Sequence, residues 1–393
     1  MDYRVMTKFQ PYIDFYGEYS ISPVSQNILD EHLLKHLQRR DALYRHLGIV
    51  PSLLKGKSVL EFGPGSGHNA IFTNKQIPAK FVLVDANKTG LEESQKNIAE
   101  VTNTDNVEFV YSLIEEYQSE EKFDLVLCEA LIPFQLDPVT FVKAPAQFVK
   151  ENGIFVITCT DSVAVLSDWM KRLYGAILVQ GEHNLERRLE ILHKPFESHL
   201  SSLKGMSRPI DDWLLDNVIQ CLDYDIGRGL FSIDEAISAL GDDFDAYQSS
   251  PNYVNDWRWY KDIHGKDRQY NEIFKEQYIQ NIHSSLDYRN SYQPREAKEN
   301  LKLLSLCDHT FNLIHTMLKK KLVTDKKMVE SLKLALLELS DEVRLFNAEA
   351  ADALSDFKEF LNQIDDPKSY QFTDFIPFWG RGTQYLSLIK KEK

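Results

Sequence analysis

A formal charge of −14 at pH 7, from 45 basic and 59 acidic side chains in 393 residues, argues against generic nucleic-acid binding, which depends on neutralising backbone phosphates. The chain is 43% hydrophobic and 11% aromatic, enough for two domains or one elaborated domain with a sizeable core. Its four cysteines (Cys128, Cys159, Cys221, Cys307) lie far apart with no C-x-x-C pair, which is neither a zinc pattern nor a disulfide framework. Residues 1–8 hold no apolar leader core, and no run of about 18 apolar residues occurs. These features predict a soluble cytoplasmic protein with no membrane and no nucleic-acid partner.

In chain order, the stretch Phe9–Pro23 is aromatic and irregular, and residues from about 25 to 47 read as a helix with Ile28, Leu33, Leu37, Leu43 and Leu47 as its apolar stripe. Val59, Leu60 and Phe62 then form a short buried strand that breaks into Gly63, Gly65 and Gly67, followed by a helical segment. Glycines let the backbone turn sharply and approach a ligand closely, and the following helix offers free N–H groups and a positive dipole end. A dinucleotide loop reads G-x-G-x-x-G. Here the pattern is acid-x-Gly-x-Gly-x-Gly, with Glu61 two residues ahead of the first glycine. A carboxylate there would repel a pyrophosphate but suits a ligand that carries an ammonium group.

This motif resembles the first motif of the class I S-adenosylmethionine-dependent methyltransferases. The resemblance implies that S-adenosylmethionine is the cofactor, that Glu61 anchors its methionine end, and that Gly63, Gly65 and Gly67 line it. It also implies an N-terminal segment folded across the cofactor, with Tyr16, Glu18 and Tyr19 as lid residues. Aromatic packing that tethers the segment to the core is the competing reading.

Residues 58–159 alternate strand and helix, the signature of a parallel sheet with crossovers. Phe81–Asp85 is a second buried strand ending in an acid, close to the spacing at which a second-strand carboxylate accepts from ribose hydroxyls. Val107–Ser112 is a third strand, and the resemblance places the adenine at its exit, against Leu113 and Ile114. The fourth strand, Phe123–Cys128, runs into Glu129. No Asn/Asp-Pro-Pro-aromatic tetrapeptide, Pro-Cys pair or double glutamate follows it, which turns the reading from nucleic-acid and protein acceptors towards a small molecule or a sugar. The fifth strand, Gly153–Cys159, ends at Asp161, which either caps the next helix or serves catalysis.

From about residue 179 to 364 the alternation stops, and helical periodicity takes over, for example at Leu304, Phe311, Ile314 and Leu318, with Thr324 or Asp325 capping the next helix. Two loops, 204–213 and 249–261, mix Trp, Tyr, Arg, Asp and Asn outside any period. They fit a polar ligand such as a sugar, or a network that fixes the loops. Tyr370–Phe375 and Thr383–Ile389 read as a closing strand pair, the last antiparallel. The expected fold is therefore α/β, a Rossmann-like methyltransferase sheet, mostly parallel with its last strand antiparallel, carrying a large all-helical insertion. The expected domains are an N-terminal helical or lid segment (1–50), the cofactor domain (51–178 and 365–393) and the insertion (179–364).

The sulfonium needs little activation, so the enzyme must align an acceptor oxygen or nitrogen and remove its proton. Glu129 is the first candidate for that base, then Asp161, with His68 and His183 behind. The expected acceptor pocket lies between Glu129 and Trp213, Trp257 or Trp259. No residue cluster has metal-ligand spacing, so no metal is expected; a homodimer stays open. The alternatives are a protein or peptide methyltransferase that docks its target on the insertion, and a non-catalytic or nicotinamide- or aminopropyl-using relative on a similar fold.

Overall fold

In the computed structural model, which describes residues 11–19, 31–206 and 208–392, the short apolar runs become strands of one sheet. These are β1 (Ser58–Phe62), β2 (Lys80–Asp85), β3 (Val107–Tyr111), β4 (Phe123–Cys128), β5 (Val149–Cys159), β6 (Phe244–Ser250) and β7 (Gln384–Lys390). Their order is β3-β2-β1-β4-β5-β7-β6. The first five pair in parallel, and β7 lies antiparallel between β5 and β6. Continuous apolar runs such as Phe81–Val84 are what a parallel strand covered on both faces requires, and all four of those residues are buried.

The chain divides into two compact units. The first comprises residues 1–160, 226–278 and 383–393 and holds the sheet. Its helices include α1 (Pro11–Tyr19), α2 (Glu31–His46), α3 (His68–Asn74) and α4 (Lys88–Val101). One core layer joins Tyr44, Leu47 and Ile49 to Ile71 and Phe72 of α3 and to Val59, Leu83 and Leu127 of the sheet. Asn87 caps α4 by accepting from the Gly90 N–H. Residues 25–30 of the expected first helix, and Phe9 before it, lie outside the described residues.

The second unit, residues 161–225 and 279–382, is helical. Its long helices are α5 (Ser162–Leu178), α6 (Leu185–Ser202), α7 (Ala297–Lys319), α8 (Lys326–Arg344) and α9 (Ala348–Asn362). Asp325 caps α8 through the Met328 N–H at 3.0 Å. On α7 the buried stripe is Leu303, Cys307, Phe311, Ile314 and Leu318. Lys171 of α5 is fully buried: its ammonium donates to the Phe378 carbonyl at 2.5 Å and lies 4.4 and 4.0 Å from the ring centres of Phe375 and Trp379.

One strand is misplaced by the sequence reading. Tyr370–Phe375 is irregular, because the Asp356 carboxylate takes the backbone N–H groups of Thr373, Asp374 and Phe375 that a ladder would otherwise use, and the Tyr370 hydroxyl as well. Phe372 and Phe375 pack instead with Phe357. The sheet takes β6 from the middle of the chain, so the stretch 179–364 is helical apart from that strand, and 226–278 belongs with the sheet unit while 161–178 does not.

Candidate active site

The carboxyl end of β1 carries the site. Gly63, Gly65 and Gly67 all have positive φ (67°, 54° and 82°), which disfavours any residue with a Cβ. At Gly67 space forbids one too: a Cβ would stand 2.6 Å from Ser94 Oγ and 2.9 Å from Ser94 Cα. The loop is held from β2. Asp85 Oδ2 accepts from the Gly65 N–H at 3.0 Å and Oδ1 from the Asn87 N–H at 2.7 Å. Burial holds the Asp85 pKa above its usual range, although these backbone donors favour its ionised form. Leu113 and Ile114 are half-buried at the exit of β3, and the neighbouring Ser112 N–H donates to the Asp85 carbonyl at 3.0 Å.

Glu61 is 3% exposed, and its Oε2 has no hydrogen-bond partner among the described residues. Burial, then the negative charge of Glu129, push its pKa up to about 8, against a smaller opposing pull from Arg40. A buried carboxyl without a partner costs free energy, so this group is set to receive a cationic or hydrogen-bonding ligand.

Glu129 is engaged. Arg40 of α2 grips it with two parallel hydrogen bonds, Nη2 to Oε1 at 2.7 Å and Nη1 to Oε2 at 2.8 Å, and Asn69 Nδ2 adds a third at 3.1 Å. Burial works against the Arg40 charge, but the Glu129 carboxylate more than offsets it and holds the guanidinium pKa up. Fork-to-fork pairing of this kind is geometrically specific and occupies both Glu129 oxygens, so a role as base requires the carboxylate to leave Arg40.

Three residues that the sequence reading did not single out line one face of α2 at helical spacing. His36 stands edge-on to His68, with ring centres 6.3 Å apart. Arg40 holds Glu129, and the Tyr44 hydroxyl bonds Thr73 Oγ1 at 2.8 Å. Burial, then the Arg40 charge, lower the His36 pKa to about 4. The visible signal was polar residues at i, i+4 and i+8; what hid it was the apolar stripe beside them. His68 opens α3, with Nδ1 2.7 Å from Ser66 Oγ.

The other expected catalytic residues, Asp161 and His183, belong to the helical unit. Asp161 accepts from the Ala164 N–H at 2.9 Å and caps α5. His183 is exposed beyond the far end of that same 17-residue helix, about 25 Å along its axis, so those two cannot serve one reaction centre. Trp213 is buried in the helical unit against Phe196 and Trp379. Trp257 and Trp259 flank Arg258, which donates to the Asp267 and Arg268 carbonyls. Arg268 in turn reaches Asp245, at the start of β6, so these tryptophans are tied to the end of the sheet opposite Glu129. The lid residues lie on α1, with Tyr16 buried and Glu18 exposed.

What closes over the exits of β4 and β5 within the sheet unit is a segment the sequence did not reveal. Phe231 and Thr160 exchange backbone hydrogen bonds at 2.8 and 3.0 Å, and the Arg228 N–H donates to the Gln135 carbonyl at 3.1 Å. Ala130, in the turn after Glu129, adopts φ 58° and donates its N–H to Thr158 Oγ1 at 2.7 Å. Strained backbone of this kind concentrates at working sites.

The donor set fits the cofactor that the motif implies. Three carboxylates (Glu61, Asp85, Glu129) against one guanidinium (Arg40) leave the cradle formally negative, and S-adenosylmethionine brings a sulfonium and an ammonium. Glu61 offers an acceptor to the ammonium, and Arg40 Nε, buried and without a partner, offers a donor to the carboxylate. Among the described residues no group of three or more His, Cys, Asp or Glu could hold a metal ion.

A family model described as a methyltransferase domain matches residues 53–194, the segment that contains the glycine loop, Asp85 and Glu129. The ubiquinone biosynthesis O-methyltransferase of Pasteurella multocida (strain Pm70) is 25% identical over 167 residues, covering 38% of this chain and 68% of that protein. Among solved structures, magnesium protoporphyrin IX methyltransferase from Synechocystis PCC 6803 with bound S-adenosylhomocysteine aligns at 13% identity and a TM-score of 0.34, covering 61% of this chain and 85% of the other. An S-adenosylmethionine-dependent methyltransferase from Mesorhizobium loti aligns at 12% identity and a TM-score of 0.25, covering 28% of this chain and half (50%) of that chain's length.

Proposed function

We propose a reaction on the premise that this chain is a class I S-adenosylmethionine-dependent methyltransferase: it transfers a methyl group to an oxygen or nitrogen of a small molecule or carbohydrate. The cofactor supplies a methyl group already activated on sulfonium sulfur. Everything else falls to this chain's residues. Glu61 takes the ammonium, Arg40 faces the carboxylate, and Asp85, which already pins the glycine loop through Gly65, takes the ribose hydroxyls. Leu113 and Ile114 flank the adenine. The Arg40–Glu129 pair acts as a fixed dipole that shapes the methionine end and ties α2 down over the loop.

The observation that carries this reading is the Glu61 carboxyl, buried and with Oε2 unpartnered among the described residues, beside a loop whose three glycines hold positive φ. A cationic ligand satisfies it; a pyrophosphate does not. The segment 226–231 supplies the wall on the acceptor side, at the exits of β4 and β5. Four buried free cysteines suit a reducing, cytoplasmic setting, and among the described residues no helix is long and apolar enough to cross a membrane.

Incubation of the protein with methyl-labelled S-adenosylmethionine and a cell extract tests the proposal. Label should accumulate in a low-molecular-mass product that depends on Asp85. Label found only in protein bands would transfer the reading to a protein acceptor, and no label in any fraction would contradict it.

A further inference from the structure

Methyl transfer also needs a group to take the acceptor's proton, and the residues assigned to the cofactor do not supply one. Among the described residues at the carboxyl end of the sheet, most polar atoms are already engaged. Both Glu129 oxygens are held by Arg40, and both Asp85 oxygens accept backbone N–H groups. His68 Nδ1 meets Ser66 Oγ, and the Tyr44 hydroxyl meets Thr73. The Thr158 hydroxyl accepts from Ala130, and the Thr160 hydroxyl donates to the Gly229 carbonyl. Glu61 has a free oxygen, but the cofactor's ammonium claims it.

His36 is different. Its Nε2 is buried and has no hydrogen-bond partner, a state that costs free energy until a ligand meets it. Two neighbours fix where this ring lies. Helix α2 carries His36 one turn before Arg40, on the face from which Arg40 grips Glu129. The ring also stands 6.3 Å, centre to centre, from His68, the residue directly after Gly67. His36 is thereby held between the end of the glycine loop and the Arg40–Glu129 pair, at the exits of β1 and β4. Burial, then the charge of Arg40, hold its pKa down at about 4, so the ring is neutral at pH 7 and offers one nitrogen lone pair. The His68 backbone favours a ring proton; with that proton on Nδ1, the lone pair is on Nε2.

We propose that His36 receives the acceptor's proton in methyl transfer: Nε2 accepts a hydrogen bond from the acceptor O–H or N–H and then takes that proton. The inference rests on the methyltransferase reading above. The acceptor atom's lone pair forms the bond to the methyl carbon, and the electron pair of the broken C–S bond stays on sulfur. The acceptor's proton goes to Nε2 and later to water. Methylation makes the acceptor atom cationic and its proton more acidic, so even a weakly basic ring can take it. Arg40 keeps its pair with Glu129 throughout, and no carboxylate has to leave its partner.

Two measurements on the whole protein test this. Calorimetry with S-adenosylhomocysteine reads the cofactor site alone, and His36→Ala and His36→Gln should each bind within about threefold of the native affinity. Both should transfer label from methyl-labelled S-adenosylmethionine to the small-molecule fraction of a cell extract about 10²–10⁴-fold more slowly. Added imidazole should restore part of that transfer in His36→Ala, which leaves room for it, and none in His36→Gln, which fills the space. The inference is overturned if either variant keeps the native rate, if S-adenosylhomocysteine affinity falls as far as transfer does, or if imidazole restores nothing in His36→Ala. Those outcomes leave the methyltransferase reading standing, whereas absence of transfer by the native protein overturns both.

Discussion

If Glu61 takes the cofactor's ammonium as proposed, cofactor binding is proton-linked. In the free protein its carboxyl is buried and unpartnered, with the pKa pushed up to about 8, so at pH 7 it is mostly protonated. A bound ammonium requires the ionised form. The sign follows: affinity is full above about pH 8 and falls as pH drops, by about tenfold per unit, or about 1.4 kcal/mol. At pH 7 the cofactor therefore binds about tenfold more weakly than at pH 9 and displaces close to one proton. Calorimetry with S-adenosylhomocysteine between pH 6 and 9, repeated in buffers of different ionisation enthalpy, reads both quantities. Glu61→Gln keeps the shape without the charge, so it should abolish the proton release and weaken binding at pH 9 by about 1–3 kcal/mol. A flat affinity profile for the native protein, with no buffer dependence of the heat, would refute the assignment of Glu61 to the ammonium.

Arg40→Ala leaves Glu129 buried without its cation and should cost about 3–5 kcal/mol in urea unfolding, whereas Arg40→Met combined with Glu129→Leu should recover most of that loss. Gly67→Ala places a side chain at φ 82° against Ser94, so it should destabilise the fold by about 1–2 kcal/mol and lower S-adenosylhomocysteine affinity in the same titration. Burial pushes the Lys171 pKa down to about 7, so between there and the unfolded value near 10.5 only the unfolded chain keeps the proton. Stability should therefore rise with pH across that window, and Lys171→Met should flatten the rise in a thermal-melt series.

Six strands, β1–β5 and β7, and the glycine loop were legible because each depends on local pattern, a buried apolar run bounded by turn residues. The β6 strand was not, because Phe244–Ser250 has only one large apolar residue, Phe244, on its buried positions and its partner β7 comes more than a hundred residues later. Tyr370–Phe375 looked like a strand by composition, yet one distant carboxylate, Asp356, decides its backbone hydrogen bonds. The emergence of Glu129 at the end of β4 was legible, but the Arg40 that grips it, 89 residues away, was not. Spacing along the chain shows where a charged group emerges from a strand; it does not show what meets it there.

The central claim, a cofactor held between Glu61 and Asp85, is tested most directly by calorimetry that compares S-adenosylhomocysteine with NAD on the native protein and on Asp85→Ala. The structure predicts tight binding of S-adenosylhomocysteine, little or none of NAD, and a loss of about 1–3 kcal/mol when the carboxylate partner of the ribose hydroxyls is removed. Tighter binding of NAD, or full S-adenosylhomocysteine affinity in Asp85→Ala, would contradict it.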